Sequence, residues 1–157
     1  MTDHRIVGIT LDDRTVVRRS PEVEHELNVA IYDILERNLF RPDGDFQGPF
    51  RVHLSIEERR RLIFEVADDG KGVQGRMALP LLPFRRIVRD YFQICESYYD
   101  AIKRLSPSQI ETIDMARRSL HDEGSSILVK RLQGKIEVDD ETARRLFTLI
   151  CVLHIRA

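Results

Sequence analysis

Two short stretches concentrate the side chains best suited to holding an anion and moving a proton. Arg85, Arg86 and Arg89 fall in the first two turns of a predicted helix. Arg117 and Arg118 lie on the helix that follows, with His121, Asp122 and Glu123 just behind them. Guanidinium forks grip phosphates and carboxylates at two points, and a histidine or carboxylate alongside can take or give a proton. An antiparallel helix pair sets the start of one helix against the end of the other, which favours Arg117, Arg118 and His121 approaching Arg85 and Arg89. The expected site is an anion pocket of Arg85, Arg89, Arg117, Arg118, His121 and Glu123. The same residues also admit plain ion pairing, of Arg85 with Asp90, of Arg89 with Asp90 or Glu111, and of Asp114 with Arg118, partly at helical spacing.

The remaining candidates are weaker. Cys95 and Cys151 both sit among apolar neighbours and read as reduced, buried thiols. His154, about one helical turn after Cys151, reads as a core histidine, because a Cys–His nucleophile needs a depressed thiol pKa at an accessible site. His25 between Glu24 and Glu26 belongs to an exposed helix start, and His53 to the polar face of a strand. Glu96 falls between apolar positions and would need an arginine partner if buried, as a structural pair. Tyr98 reads as core. The run Gly70-Lys71-Gly72-Val73-Gln74-Gly75 lies in a hairpin rather than between strand and helix, the wrong setting for a phosphate cradle. No Cys/His spacing fits zinc, and no Gly-x-Ser-x-Gly elbow is present. No cofactor and no metal ion are expected.

The elements that must carry these residues change character near residue 82, with strands around one helix before it and helices after it. Val7, Ile9 and Leu11 give an N-terminal strand. Ser20-Pro21 starts a helix, the serine as cap and the proline in the first turn, with Val23, Leu27, Ile31, Ile34 and Leu35 as its apolar stripe. Phe50, Val52, Leu54 and Ile56 alternate with Arg51, His53, Ser55 and Glu57, the pattern of a half-buried strand. Leu62, Phe64 and Val66 repeat it after a charged turn. Val73, Gly75, Met77 and Leu79 follow the Asp69-Gly70 turn, so residues 50–79 form an antiparallel meander. Phe84, Val88, Tyr91, Cys95, Tyr98, Ile102 and Leu105 are spaced alternately by 4 and 3 residues, an apolar seam on a long helix. Ile87, Phe92, Ile94 and Tyr99 widen that seam beyond what one neighbour covers, which points to a second helix of this chain or the same helix of another copy. Ser106-Pro107-Ser108-Gln109 is a capping box. Gly124 is expected to break the next helix, a shorter one then ending at Gly134. Ile136 and Val138 form an extended link, and Asp139 or Asp140 caps a last helix whose Leu146–Leu153 run is core.

The fold class is therefore α+β: a small antiparallel sheet, the meander 50–79 plus the N-terminal strand, covered by four to five helices in a single domain of residues 1–157. The 157 residues carry 25 basic and 26 acidic side chains, too even a balance for the usual basic nucleic-acid binder. Arginine outnumbers lysine 21 to 4, which compositional bias explains as well as anion binding does. The longest apolar stretch, Leu146 to Ile155, is about half the roughly 20 residues that span a bilayer. With no signal-peptide pattern at the start, a reducing cytoplasm is the expected location and a membrane partner is excluded.

Four segments carry a family likeness: Pro83-Phe-Arg-Arg-Ile-Val-Arg-Asp-Tyr-Phe-Gln-Ile-Cys-Glu-Ser-Tyr-Tyr; Ser20-Pro-Glu-Val-Glu-His-Glu; Ile113-Asp-Met-Ala-Arg-Arg with His121-Asp-Glu-Gly; and Thr142-Ala-Arg-Arg-Leu-Phe-Thr-Leu-Ile-Cys-Val-Leu-His. Over nearly its whole length the chain resembles the bacterial, mainly alphaproteobacterial, uncharacterised protein family two-six-two. The resemblance implies a stand-alone cytoplasmic protein of this length and brings no catalytic residue with it. Two functions follow from the residues. The first is a non-catalytic interaction or regulatory module with a protein partner or a second copy of itself, in which Val88 and Tyr91 would meet the other chain. The alternative is an enzyme using the Arg/His/Glu pocket on a small anionic metabolite, and the residues leave open whether a reaction is catalysed. RNA contact through the arginine-bearing face is a third and weaker reading.

Overall fold

The computed structural model describes residues 3–12, 21–68, 70 and 72–154. The Ser20 cap, Asp69 of the second turn, Lys71 and the His154 side chain lie outside the described residues. In chain order the elements are β1 (Ile6–Leu11), α1 (Pro21–Glu36), β2 (Phe40–Pro42), β3 (Phe50–Glu57), β4 (Arg61–Asp68), β5 (Gly72–Pro80), α2 (Leu82–Arg104), α3 (Pro107–Leu132), β6 (Ile136–Val138) and α4 (Asp140–His154).

The fold is α+β, as the sequence pattern requires, with a four-stranded sheet in the order β1-β3-β4-β5. β3, β4 and β5 form the expected antiparallel meander. β1 departs from expectation: it pairs parallel with β3, so the sheet is mixed rather than antiparallel. Its long connection to β3 runs through α1, and a connection of that length permits the parallel arrangement. Phe50, Val52, Leu54, Leu62, Phe64 and Val66 are all buried on one face. An irregularity at Val66/Ala67 shifts the β4–β5 register, and Val73, on the far side of it, is 58% exposed. The charged turn between β3 and β4 places Glu58 and Arg59 at φ 55° and 58°, the left-handed central pair of a tight turn closed by Arg60 N–H donating to the Glu57 carbonyl at 3.0 Å. A second, two-stranded sheet pairs β2 with β6. The sequence pattern gives no sign of β2.

There are four helices among the described residues. α3 is continuous from Pro107 to Leu132 and passes straight through Gly124, where a break was expected. Gly124 is there for packing: a Cβ at this position would run into the Phe147 ring of α4. The Ser106 capping box is present, with Gln109 N–H donating to Ser106 Oγ and Ser106 N–H to Gln109 Oε1 at 3.1 Å. Gly134 follows the helix at φ 81°, the left-handed position glycine takes after a C-terminus. Asp139 caps α4, its Oδ1 accepting from Thr142 N–H at 2.9 Å.

α4 is the central helix. It packs against α1, α3 and β3, while α1 also leans on β1, and α2 lies along α3. Phe147, Leu149, Ile150 and Leu153 have no exposed surface. Along α2, Phe84, Ile87, Val88, Tyr91 and Cys95 are buried within this one chain. Val88 and Tyr91, the positions expected to meet a second copy, are 1% and 2% exposed, so the chain's own helices cover that part of the seam. Only its far end is open, with Ile102 52% and Leu105 40% exposed. No helix among the described residues is long and apolar enough to cross a membrane.

Candidate functional site

α1 and α3 each pack on α4, and between them lies a cavity of about 550 Å³. α1 contributes His25, Glu26, Val29, Ala30 and Asp33; α3 contributes Arg117, Arg118 and His121; α4 contributes Glu141, Arg144, Arg145 and Thr148; Tyr91 of α2 completes the lining. The volume is within the roughly 300–1,000 Å³ usual for small-molecule sites.

Every arginine of the lining is steadied by an acid. Arg117 donates through Nε and Nη2 to Asp114 Oδ1 at 3.1 and 2.7 Å, and its guanidinium carbon sits 5.1 Å from the Tyr98 ring centre. Burial opposes the charge on Arg117, but the Asp114 hydrogen bonds outweigh it and hold the guanidinium above its ordinary pKa. Asp114 also receives Arg118 at 2.8 Å, and these hydrogen bonds, chiefly that of Arg117, keep its carboxyl below the usual range. Arg144 pairs with Asp122, and Arg145 with Glu141 at 3.1 Å. On the α1 wall, Glu26 accepts the Tyr99 hydroxyl at 2.7 Å. Burial first, and Glu26 second, push the Tyr99 hydroxyl up.

His121 lies edge-on to both Tyr91 and Phe147, with ring centres 5.4 and 5.3 Å away. Its Nε2 is 2.8 Å from Thr148 Oγ1, and the Thr148 hydroxyl donates to the Arg144 carbonyl at 3.3 Å. A hydroxyl has one proton to give. Nε2 therefore carries the histidine hydrogen, and Nδ1 is left as a bare lone pair. Nδ1 is closed off from solvent and has no hydrogen-bond partner among the described residues. Burial, with the Arg144 charge nearby, brings the imidazole pKa down to about 4. Arg145 Nε is likewise closed off and without an acceptor among the described residues.

Of the residues singled out by sequence, Arg117, Arg118 and His121 meet at this cavity, and Arg85, Arg89 and Glu123 do not. Arg85 is exposed and donates to the Arg59 carbonyl at 2.7 Å. Arg89 stands 3.8 Å from Asp90, and Glu123 is held by Arg86 at 2.9 Å. The antiparallel adjacency of α2 and α3 is present, as the Arg86–Glu123 pair shows, but the arginines at the start of α2 face away from the cavity. Of the ion pairs considered, Asp114–Arg118 and Arg89–Asp90 form, whereas Asp90 receives Arg86 rather than Arg85. Arg144, Arg145, Thr148, Glu26 and Asp33 were not singled out from sequence.

The other candidates settle simply. Glu96 is exposed, so no buried Glu–Arg pair forms around it. Tyr98 is half-buried under Arg117. His25 is exposed at the cavity mouth, and His53 Nδ1 meets Thr10 Oγ1 at 2.7 Å. Cys95 and Cys151 are free and buried. Burial pushes the Cys95 thiol up to about 12 and Cys151 well above its ordinary value. Among the described residues no group of three or more His, Cys, Asp or Glu side chains is placed to hold a metal ion.

The family model of the uncharacterised protein family UPF0262 matches residues 3–156. A UPF0262 protein of Paramagnetospirillum magneticum is 56% identical over 152 residues, covering 97% of this chain and 96% of its own. One from Rhodospirillum rubrum is 57% identical over 155 residues, covering 99% and 94%. One from Nitrobacter winogradskyi is 55% identical over 152 residues, covering 96% and 90%. No solved structure matches the chain.

Proposed function

We propose that this chain, which belongs to the uncharacterised protein family UPF0262, is a non-catalytic binding module for a small anionic metabolite, working in a reducing cytoplasm. The observation that carries the reading is the cavity of about 550 Å³ on which four arginines, Arg117, Arg118, Arg144 and Arg145, converge from two helices. Guanidiniums gathered on one concave surface are matched to a phosphate or carboxylate.

Binding rather than turnover is favoured by the groups that would have to react. Both thiols are buried and hard to ionise. His121 Nε2 meets the Thr148 hydroxyl as the donor, so it already carries the proton that a base would have to take. A working pair of base and nucleophile also needs a third group to orient the imidazole through its other nitrogen, and Nδ1 has no hydrogen-bond partner among the described residues. With its pKa near 4, His121 is also a poor base at neutral pH. The two buried free thiols are the support for a reducing compartment.

The test is isothermal titration calorimetry with inorganic phosphate, ethyl phosphate, succinate and glutarate at millimolar concentration, on the natural chain and on Arg118→Ala. Arg118 is 69% exposed on its side chain, and its ion pair is a surface one, so the variant should keep its fold. At least one of these anions should bind the natural chain, and Arg118→Ala should weaken it about tenfold, the worth of one charge-assisted hydrogen bond. Indifference to the whole panel, or equal binding by Arg118→Ala, would refute the reading. Release of a chemically changed product would restore the enzyme alternative.

A further inference from the structure

The cavity walls differ in sign, and that asymmetry narrows the ligand. On the α3 and α4 side four guanidiniums, of Arg117, Arg118, Arg144 and Arg145, stand with one carboxylate, Glu141: Arg117 and Arg118 share Asp114 at 2.7 and 2.8 Å, and Arg145 holds Glu141 at 3.1 Å. On the α1 side stand two carboxylates, Glu26 and Asp33. They are seven residues apart, two helical turns on one face, separated by about 10 Å along the axis. Glu26 is 4.0 Å from Arg117 Nη1, and Asp33 is 4.0 Å from Arg145 Nε. Both separations exceed a hydrogen bond. The walls therefore confront one another with opposite charge but do not close. The Asp33 carboxylate keeps unused accepting capacity, because its side chain is 42% exposed and it stands too far from Arg145 for a hydrogen bond.

A simple anion answers only half of this arrangement. Set against Arg118 and Arg145 it gains, but Asp33 and Glu26 then repel it from across the gap. A ligand with an acidic group and an amino group satisfies both walls at once. Its acid lies on the guanidiniums and its ammonium donates to Asp33, while Glu26 keeps the Tyr99 hydroxyl. We infer that the cavity takes a small zwitterion, an amino acid or an amino-bearing phosphate ester, with Asp33 as the ammonium acceptor. This inference rests on the anion-pocket reading above and sharpens it.

Three matched pairs test it, each differing by one amino group: succinate and L-aspartate, glutarate and L-glutamate, ethyl phosphate and phosphoethanolamine. Dissociation constants are measured by calorimetry at neutral pH on the natural chain, on Asp33→Asn and on Glu26→Gln. In at least one pair the amino member should bind ten- to a hundredfold tighter, the value of a charge-assisted hydrogen bond. Asp33→Asn should remove that advantage and leave the amino-free partner's affinity unchanged or improved, which also reports that the variant is folded. Glu26→Gln should keep most of the advantage. Equal binding within every pair, or tighter binding of the amino-free members, overturns the zwitterion and leaves the anion pocket standing. An amino advantage that survives Asp33→Asn overturns the assignment of the α1 wall. No binding by any of the six compounds overturns both readings together.

Discussion

Replacing Gly124 with alanine sets two effects of opposite sign against each other, and the structure decides between them. In the interior of an exposed helix, Gly→Ala raises stability by about 1 kcal/mol, because alanine gives up less backbone freedom on folding. Gly124 is buried, and an added Cβ would lie within 2.6 Å of Cζ, Cε1 and Cε2 of Phe147. Carbon contacts normally sit at about 3.5–4.0 Å, so the ring or the helix axis must move by roughly 1 Å. The Phe147 ring has little room to give, being fully buried and held edge-on by both Tyr91 and His121. Overpacking of this kind costs about 1–3 kcal/mol or more. Setting about 3 against about 1, Gly124→Ala should lose roughly 2 kcal/mol, a fall in Tm of about 4–8 °C for a chain of this size. The assay is thermal and urea unfolding followed by circular dichroism. The double variant Gly124→Ala/Phe147→Leu, with each single variant, completes the cycle and should return at least 1 kcal/mol of favourable coupling. A Gly124→Ala protein as stable as the natural chain, or more stable, would mean that helix propensity wins and that α3 and α4 do not meet there as closely as described.

Three further outcomes are expected. His121 titrates near 4 in the folded chain and near the ordinary histidine value of 6.5 when unfolded, so the unfolded chain binds the extra proton in between. Stability should therefore be full above about pH 6.5 and fall by roughly 2–3 kcal/mol as pH drops toward 4. His121→Asn should flatten that limb, and an unchanged acid limb in the variant would place the titration elsewhere. Ser106→Ala should lose about 1 kcal/mol in urea unfolding and Ser106→Gly only a few tenths; equal losses would show that the capping hydrogen bond is not what matters. A thiol reagent such as dithionitrobenzoate should label neither Cys95 nor Cys151 in the folded chain and both in guanidinium, whereas release within minutes under native conditions would contradict their burial and raised pKa.

What could be read from sequence was what neighbouring residues decide among themselves. The alternation of β3, the seam of α2, the Ser106 box and the left-handed Gly134 are short-range patterns, and all are present. The parallel pairing of β1 with β3 joins strands some 40 residues apart, and alternation within either strand is silent about its partner's direction. Gly124 is ambiguous for a related reason. A glycine in a helical pattern fits a break and a close approach equally well, and only Phe147, on another helix, separates the two. The site divides along the same line. Arg117, Arg118 and His121 sit on one face of one helix and could be grouped by spacing. For Arg85 and Arg89 the neighbouring helix follows from the antiparallel pairing, but the rotation of α2 about its own axis, which keeps them off the cavity, does not.

A further signal lay in the polar residues, which periodicity reads as well as apolar ones. α4 is buried at Thr142, Ala143, Leu146, Phe147 and from Leu149 to Leu153. The relief in that pattern is a stripe of Glu141, Arg144, Arg145 and Thr148, at i, i+3, i+4 and i+7. Long charged groups on a helix otherwise enclosed by core need a place to go, and here they line the cavity. The same spacing recurs on both facing walls: Asp114, Arg117, Arg118 and His121 on α3, and Glu26, Val29, Ala30 and Asp33 on α1. Three helices remote in sequence thus each devote two turns of one face to a common gap. Hydrophobic residues of the same volume would close that gap and often leave a protein equally or more stable. Holding charges there, with pairs at 4.0 Å across the gap against 2.7–3.1 Å within α3 and within α4, costs stability that the fold does not require. Pairs that approach without closing across a cavity of this size are the physical ground on which the proposed ligand rests.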